Sequence, residues 1–323
     1  MKAIYITQYG DSSTLIYGER ERPHPKRGQL LVRVRAAGVN PRDWIVREGK
    51  YVFQRALPRF PIILGSDISG EVVEVGPGTS RFAVGDAVFG MQPLLGGMGG
   101  YAEFIAIAED ALARKPASVS HVEAAAVPCA GLTAWQAVHG LGRLQAGQRV
   151  TICGAGGGVG TYALQFAKAQ GAVVTAVCGA ASFDLAKSLG ADHLVDYKQR
   201  HYTTAVEPQD LVFDAVGRDT FARAQRVLKP GGRYVSTIPS LPAAVQSLRS
   251  GLLRAFSFGR RPSAHLVLVR PCAAHLEAIA RLMEQSRVRS VIDSVFPLED
   301  AGLAQAKSRT WHAKGKIVLE VGA

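Results

Sequence analysis

The sequence predicts an α/β fold in which a doubly wound parallel sheet is inserted into a β-rich domain. Three observations predict it: short strands punctuated by Gly and Pro up to about residue 121, helices and strands that alternate from 122 to 289, and a strand-like end that returns to the first texture. A chain of 323 residues carries a prior of about two domains.

In the first region, residues 29–35 (Gln-Leu-Leu-Val-Arg-Val-Arg), 70–76 and 101–107 alternate apolar and polar positions or form brief β-branched runs. After Ser120 the texture changes. Residues 121–127 and 132–138 read as helices and 149–153 as a compact apolar strand. A Gly-rich turn opens a helix to about Gln170, then come strand 172–177, a helix ending at Leu189-Gly190 and a short strand at Leu194-Val195. Strand 210–216, a turn at Lys229-Pro230-Gly231 and strand 232–237 follow, and residues 265–269 can add another. Alternation of this length implies a parallel sheet covered on both faces by helices. Residues 316–321 form a terminal strand able to rejoin the first region, which gives domains at 1–121, 122–289 and 290–323.

Composition narrows the class. Hydrophobic residues make up 47% and charged residues 20%, enough for a sizeable core and against intrinsic disorder. Cys129, Cys153, Cys178 and Cys272 show no C-x-x-C spacing, which argues against a disulfide scaffold or a structural zinc lobe and for a reducing compartment. The start MKAIYITQYGD has neither an apolar h-region nor an Arg-rich transit pattern, so the expected location is the cytoplasm. No G-x-S-x-G elbow supports a hydrolase. The net charge of +12 admits nucleic acid, a membrane surface or an anionic cofactor as partner.

The strongest local pattern is Cys153-Gly-Ala-Gly-Gly-Gly-Val-Gly160, between a strand and a helix. Glycines let the backbone bend sharply and approach a pyrophosphate, which meets free N–H groups and the positive helix end. The pattern fits Gly154-x-x-Gly157-x-x-Gly160 or Gly158-x-Gly160-x-x-Ala163, with Val159 at the sixth position from Gly154. An NAD site places an acid about 20 residues past the glycines to bind the ribose 2′-hydroxyl. Here that strand ends in Cys178-Gly-Ala-Ala-Ser182, and the first acid is Asp184. Ser182, Tyr197, Lys198 and Arg200 can meet a 2′-phosphate, so NADPH is the expected cofactor.

With these residues in hand, the chain resembles the zinc-free, zeta-crystallin-like quinone oxidoreductase branch of the medium-chain dehydrogenase/reductase superfamily. The matching stretches are 37–44 (Ala-Gly-Val-Asn-Pro-Arg-Asp-Trp), 64–76, 84–90, 99–103, 128–135, the glycine turn, 189–197, 213–217 and 315–319, in the family's order over nearly the full length. The resemblance implies a GroES-like catalytic domain, a Rossmann domain inserted into it, an active site in the cleft between them, and a homodimer. In the sister zinc enzymes a Cys, a His and a second Cys hold the metal. Here those positions match Asn40, Ser66 and Cys129, and one thiol cannot make a three-ligand site, so no metal is expected and Cys129 is expected to be a small buried residue.

Without a Lewis acid, reduction of a quinone or an α,β-unsaturated carbonyl is the expected chemistry, because the charge developing on the acceptor is delocalised. The resemblance places Asn40 at the nicotinamide side or the substrate oxygen and Tyr51 on the substrate cleft. Asn40 before Pro41 is equally a turn residue. Thr133, Val216, Gly217, Thr237 and Ile238 match further cofactor positions, the last four at strand carboxyl ends where such sheets bind ligands. Asp67 can pair with Arg42 or Arg47, while Asp43 and Asp86 read as turn or packing residues.

Residues 241–261 remain. From Thr220 to Leu276 there is no acid, while nine Lys and Arg fall inside. Leu248, Leu252, Leu253 and Phe256 with Arg249 and Arg254 suggest a short amphipathic helix that covers an edge, packs at a dimer interface or touches a membrane surface. Basic residues without aromatic interleaving argue against specific nucleic-acid readout. Two other readings stay open: a zinc-free alcohol, aldehyde or enoyl-type reductase of the same superfamily, and a non-enzymatic nucleotide-sensing or RNA-binding protein.

Overall fold

A computed structural model of the chain describes residues 1–238 and 241–322, and the side chains of all of these except 241–243. It comprises two compact units, Met1–Leu132 with Arg270–Ala323, and Thr133–Val269.

The first unit begins with β1 (Lys2–Ile6), β2 (Ile16–Glu19), β3 (Gln29–Val39), α1 (Pro41–Arg47), β4 (Ile62–Ile63), β5 (Asp67–Val75), β6 (Ala87–Met91), β7 (Phe104–Ala108), β8 (Leu112–Arg114) and α2 (His121–Ala125), with α3 (Pro128–Trp135) at its border. The second holds β9 (Arg149–Cys153), α4 (Gly158–Ala169), β10 (Val173–Cys178), α5 (Phe183–Ser188), β11 (His193–Asp196), β12 (Gln209–Asp214), α6 (Phe221–Ala224), β13 (Leu228–Ser236), α7 (Leu241–Phe256) and β14 (Ser263–Leu266). The chain then returns to the first unit through α8 (Ala273–Glu284), β15 (Ile292–Pro297), α9 (Ala301–Arg309) and β16 (Lys316–Glu320).

In the first unit β2-β1-β4 form one sheet, and β15-β16-β3-β5-β6-β8 a second in which β7 also pairs with β3. Leu30, Val32, Val34, Ile68, Ile105, Ile317 and Leu319 form its core. The terminal strand β16 lies antiparallel to β3, with Ile317 opposite Val39 and Leu319 opposite Ala37. That register brings Lys316 to the end of β3, where Asn40 begins α1 with Pro41 in its first turn.

The borders of the units differ from the sequence expectation of 121/122 and 289/290, falling at 132/133 and 269/270. Burial decides the difference. Ala125 and Ala126 join Ala36 and Val318 in a small core of the first unit. In α8, Leu276, Ile279, Ala280 and Met283 are buried, and Glu277 pairs with Arg81 at 2.7 Å.

The second unit is a parallel sheet ordered β11-β10-β9-β12-β13-β14. This is the 3-2-1-4-5-6 order whose direction reverses between the first and fourth strands and leaves a ligand crevice at their carboxyl ends. Lys229-Pro230-Gly231 is not a turn between elements but a bulge inside β13. The partners of β12 jump from Gln209 opposite Leu228 to Leu211 opposite Arg233, so pairing resumes past the bulge. The expected helix at 132–138 is the end of α3 continued by a π-helical stretch, Gln136–Leu141.

Candidate active site

At the carboxyl edge of the parallel sheet, the turn after β9 is closed by contacts only glycine permits. Gly154 has φ of +79°, and a Cβ there would lie 2.3 Å from Cγ2 of Val216. A Cβ on Gly160 would lie 2.0 Å from the Gly154 carbonyl oxygen, so the start of α4 packs directly on the turn. A Cβ on Gly156 would meet Oγ of Ser182 at 2.7 Å and Cβ of Cys178 at 3.9 Å. Gly157 caps α4 without a side-chain hydrogen bond, and Gly158 and Val159 open the helix, leaving the first N–H groups of a twelve-residue helix available to an anion.

The neighbouring strand ends are fixed by Asp214, a residue to which sequence analysis gave no role. Its Oδ1 accepts the N–H of Val216 (3.1 Å) and Gly217 (2.8 Å), and its Oδ2 accepts the N–H of Asp219 (2.9 Å) and the Tyr234 hydroxyl (3.0 Å). Burial, with Asp214 beside it, pushes the Tyr234 hydroxyl well above its ordinary value. Gly217 (φ +67°) packs against Ile238, and the Thr237 hydroxyl donates to the Ala215 carbonyl.

The structure therefore brings Gly154, Gly156, Cys178, Ser182, Val216, Gly217, Thr237 and Ile238 to one edge. Tyr197 is exposed, with its ring 3.6 Å from where a Gly179 Cβ would be, and Lys198 is exposed with its N–H on Asp196 Oδ1. Thr133 is buried near the end of α3.

The first unit holds a second polar centre. Asn40 is buried, and its Oδ1 accepts from Lys316 Nζ at 2.6 Å. The same ammonium donates to the Val39 carbonyl at 2.9 Å and lies 3.9 Å from Asp67 Oδ2. Asp67 is fully buried and accepts the Cys129 N–H at 3.1 Å and the Ser66 hydroxyl at 3.2 Å. Burial raises its carboxyl above the ordinary range against the pull of Lys316. Asn40 Nδ2 is buried with no partner within hydrogen-bond geometry.

Next to it, Asp43 Oδ2 accepts the Asn40 N–H (2.8 Å) and the Tyr101 hydroxyl (2.7 Å), and burial pushes the Asp43 carboxyl up to about 6. Tyr51 is half-buried. Its hydroxyl donates to the Leu94 carbonyl, and the Arg42 guanidinium sits over its ring at 5.2 Å.

Several expectations change here. Asp67 meets Lys316, while Arg42 donates to the Leu94 and Gly97 carbonyls and Arg47 to Gln305. Asp43 is a turn and a packing residue at once: its buried carboxyl accepts the Asn40 N–H at the start of α1 and ties Tyr101 to that helix. Cys129 is partly rather than fully buried, with its thiol pushed up to about 12 chiefly by burial. Lys316 escaped sequence analysis because its partners lie 276 residues away, and only the match at 315–319 marked its strand. At the zinc-ligand positions the chain offers an amide held by an ammonium, a hydroxyl bonded to Asp67 and a protonated thiol. This donor set does not suit zinc, which needs deprotonated or neutral nitrogen and sulfur ligands free of a competing cation. Among the described residues no group of three or more His, Cys, Asp or Glu is placed to hold a metal ion.

Comparison with known proteins agrees with this organisation. Residues 26–117 match the alcohol dehydrogenase GroES-like domain, and residues 189–319 match the family described as zinc-binding dehydrogenase. The chain is 35% identical to the chloroplast envelope quinone oxidoreductase homolog of Arabidopsis thaliana, over 99% of this chain and 98% of the relative. It is 32% identical to a mitochondrial NAD(P)H oxidoreductase of Homo sapiens, over 99% and 89%. The quinone oxidoreductase from Coxiella burnetii superposes with a TM-score of 0.89 at 30% identity, covering 100% of this chain and 99% of that one. A GroES-like sheet closed by its own C-terminal strand, a parallel sheet in dinucleotide-binding order and these full-length matches have one reading: the chain belongs to the quinone oxidoreductases of the medium-chain dehydrogenase/reductase superfamily.

Proposed function

We propose that the chain is an NADPH-dependent reductase that transfers hydride to quinones or α,β-unsaturated carbonyls without zinc. The observation that carries the reading is the sheet edge itself. The glycine turn leaves its N–H groups open to a pyrophosphate, and β10 ends at Cys178-Gly179 with no acid to repel a 2′-phosphate. Ser182, beside Gly156, and the exposed Tyr197 and Lys198 supply hydroxyl and cationic contacts for that phosphate. The zinc-ligand positions, whose donors do not suit the metal, support the zinc-free half of the reading.

The nicotinamide supplies the hydride when bound. The chain's own groups position and polarise. Lys316 holds Asn40 by Oδ1, which leaves Nδ2, buried beside Asp67, as the donor end of the amide. Asn40 Nδ2 then donates to the nicotinamide side or to the acceptor oxygen, and the buried ammonium behind it favours negative charge arriving there. Tyr51, stacked under Arg42, presents an aromatic face to the acceptor ring.

The test is a steady-state screen of NADPH and NADH against p-benzoquinone, an enone, an enal and an aldehyde, with bound metal measured. Higher kcat/KM with NADPH on quinone or enone, unchanged by chelators, is expected. Preference for NADH, or turnover confined to the aldehyde and lost on metal removal, overturns it.

A further inference from the structure

Arg42 is a buried cation that the fold leaves partly unmet. It stands in the first turn of α1, two residues after Asn40, and is 7% exposed. Its Nη2 donates to the Leu94 carbonyl at 2.9 Å and to the Gly97 carbonyl at 2.8 Å, while Nε and Nη1 are buried with no partner in hydrogen-bond geometry. No Asp or Glu bonds to any of the three nitrogens among the described residues. A buried charge without a counter-ion and buried donors without acceptors both weaken a fold, so packing alone does not account for an arginine here.

The groups it holds supply the reason. The turn at 93–98 stands on two feet, the Gln92 N–H on the Ser66 carbonyl and the Gly99 N–H on the Gly65 carbonyl, each at 3.0 Å. Between them Arg42 ties the turn at Leu94 and Gly97, and the Tyr51 hydroxyl ties it again at Leu94, at 3.1 Å. The same guanidinium lies 5.2 Å over the Tyr51 ring. One planar group therefore fixes the ring and the turn together, which the single ammonium of a lysine does not copy. At Gly96 a Cβ would come 3.1 Å from the Ala56 carbonyl oxygen, so the turn also rests against the segment that follows Tyr51. Burial raises the Tyr51 hydroxyl and the Cys129 thiol, and the Arg42 charge pulls both back, so the cation is felt at each. We propose that Arg42 is a positioning residue for the acceptor: it locks Tyr51 and the 93–98 turn into one wall, and does so at a cost in stability. The proposal rests on the reading that places the acceptor against Tyr51.

The experiment compares the full wild-type chain with Arg42→Met and Arg42→Lys by thermal unfolding, amide hydrogen exchange, NADPH fluorescence titration and steady-state kinetics on p-benzoquinone. Methionine fills much of the same space without charge, so the thermal midpoint of Arg42→Met should hold or rise. Amide exchange at 51–57 and 93–98 should quicken by about tenfold or more, with the rest of the first unit unchanged. KM for the quinone should rise by about tenfold while kcat changes by less than about threefold, and the NADPH Kd should stay where it was. Arg42→Lys keeps the charge and loses the planar fork, so it should behave like Arg42→Met. Unchanged exchange in the two segments, an unchanged quinone KM, or a lowered thermal midpoint overturns the proposal, and full rescue by lysine overturns the role of the fork. Segments that loosen in Arg42→Met, in a chain whose wild type reduces neither quinones nor enones, sink the functional reading and leave the lock on Tyr51 standing.

Discussion

The glycine edge of the second unit and the polar centre of the first are built by opposite means. The edge is made of what is missing: no Cβ on Gly154, Gly156 and Gly160, no side-chain cap on α4, no acid after β10. The polar centre is made of side chains that should not be buried together, an ammonium, two carboxyls and an amide, which reach one another only because β16 returns beside β3. The first tolerates no added atom at Gly154, Gly156 or Gly160; the second tolerates no buried charge left unpaired. Their failure modes should differ accordingly.

The largest effect is expected in the polar centre. Lys316→Met removes the cation 3.9 Å from Asp67 Oδ2 and leaves a buried carboxyl with hydrogen bonds but no counter-charge there, which costs about 3–5 kcal/mol. Urea unfolding at pH 8 reads the loss. Adding Asp67→Asn to Lys316→Met should restore most of it, since the amide needs no counter-charge. A double variant no more stable than Lys316→Met alone would show that Lys316 acts through Asn40 and Val39 rather than through charge.

At the glycine edge, Gly160→Val should weaken NADPH binding by roughly a hundredfold, equivalent to an overpacking cost of about 3 kcal/mol. The clash is with the Gly154 carbonyl and the Ala155 Cα, backbone atoms that cannot swing aside. Gly157→Ala is the sharper companion. Its nearest protein atom would be 3.5 Å away, so the thermal midpoint should hold, and any loss of NADPH affinity in fluorescence titration reports the ligand's own approach. Equal affinity in Gly160→Val and wild type would sink the cradle.

This contrast also governs what could be read without coordinates. The glycine turn, the bare end of β10 and the alternation of strands with helices were legible because each is carried by neighbours in sequence, the turn by a run of glycines between a strand and a helix. The polar centre was half legible. Asn40 was found by resemblance, but Lys316, Asp43 and Tyr101 were not, because nothing local distinguishes a buried Lys at the start of a terminal strand from a solvated one. Asp214 was invisible for another reason: three of its donors are backbone N–H groups on the loop just after it, whose path the residue types do not fix, and the fourth, the Tyr234 hydroxyl, is brought near only by the β12–β13 register. The units divide at 132 and 269 where the sequence suggested 121 and 289, because α2 and α8 look like members of the α/β alternation and only the faces they bury assign them to the β-rich unit.

A smaller effect sharpens the charge side of the comparison. Asp43 has its folded-state carboxyl raised to about 6, so the fold favours the protonated form. The stability it contributes is fully present below about pH 4 and is lost as pH rises through about 6. At about 1.4 kcal/mol per pH unit over that window, the loss is on the order of 2 to 3 kcal/mol. Asp43→Asn should remove this slope, so that the stability of the wild type relative to the variant falls between about pH 4 and 6 and then levels off. Parallel pH profiles for the two proteins would mean that Asp43 is as ionised in the fold as out of it.

The smallest expected effect tests the missing acid directly. Gly179 follows β10 and has φ of −74° and ψ of 153°, a conformation open to any residue. An added Cβ would meet only the Tyr197 ring at 3.6 Å, an ordinary contact. Gly179→Asp therefore adds a carboxylate where a dinucleotide's adenosine ribose is expected, with little cost to the fold. It should repel a 2′-phosphate and accept a 2′-hydroxyl, lowering the ratio of kcat/KM for NADPH over NADH by about tenfold, or roughly 1.4 kcal/mol. The ratio is the right readout because a general disturbance of the edge lowers both values together. A ratio that does not move, with the thermal midpoint intact, would separate the end of β10 from cofactor choice and leave Tyr197 and Lys198 to decide it.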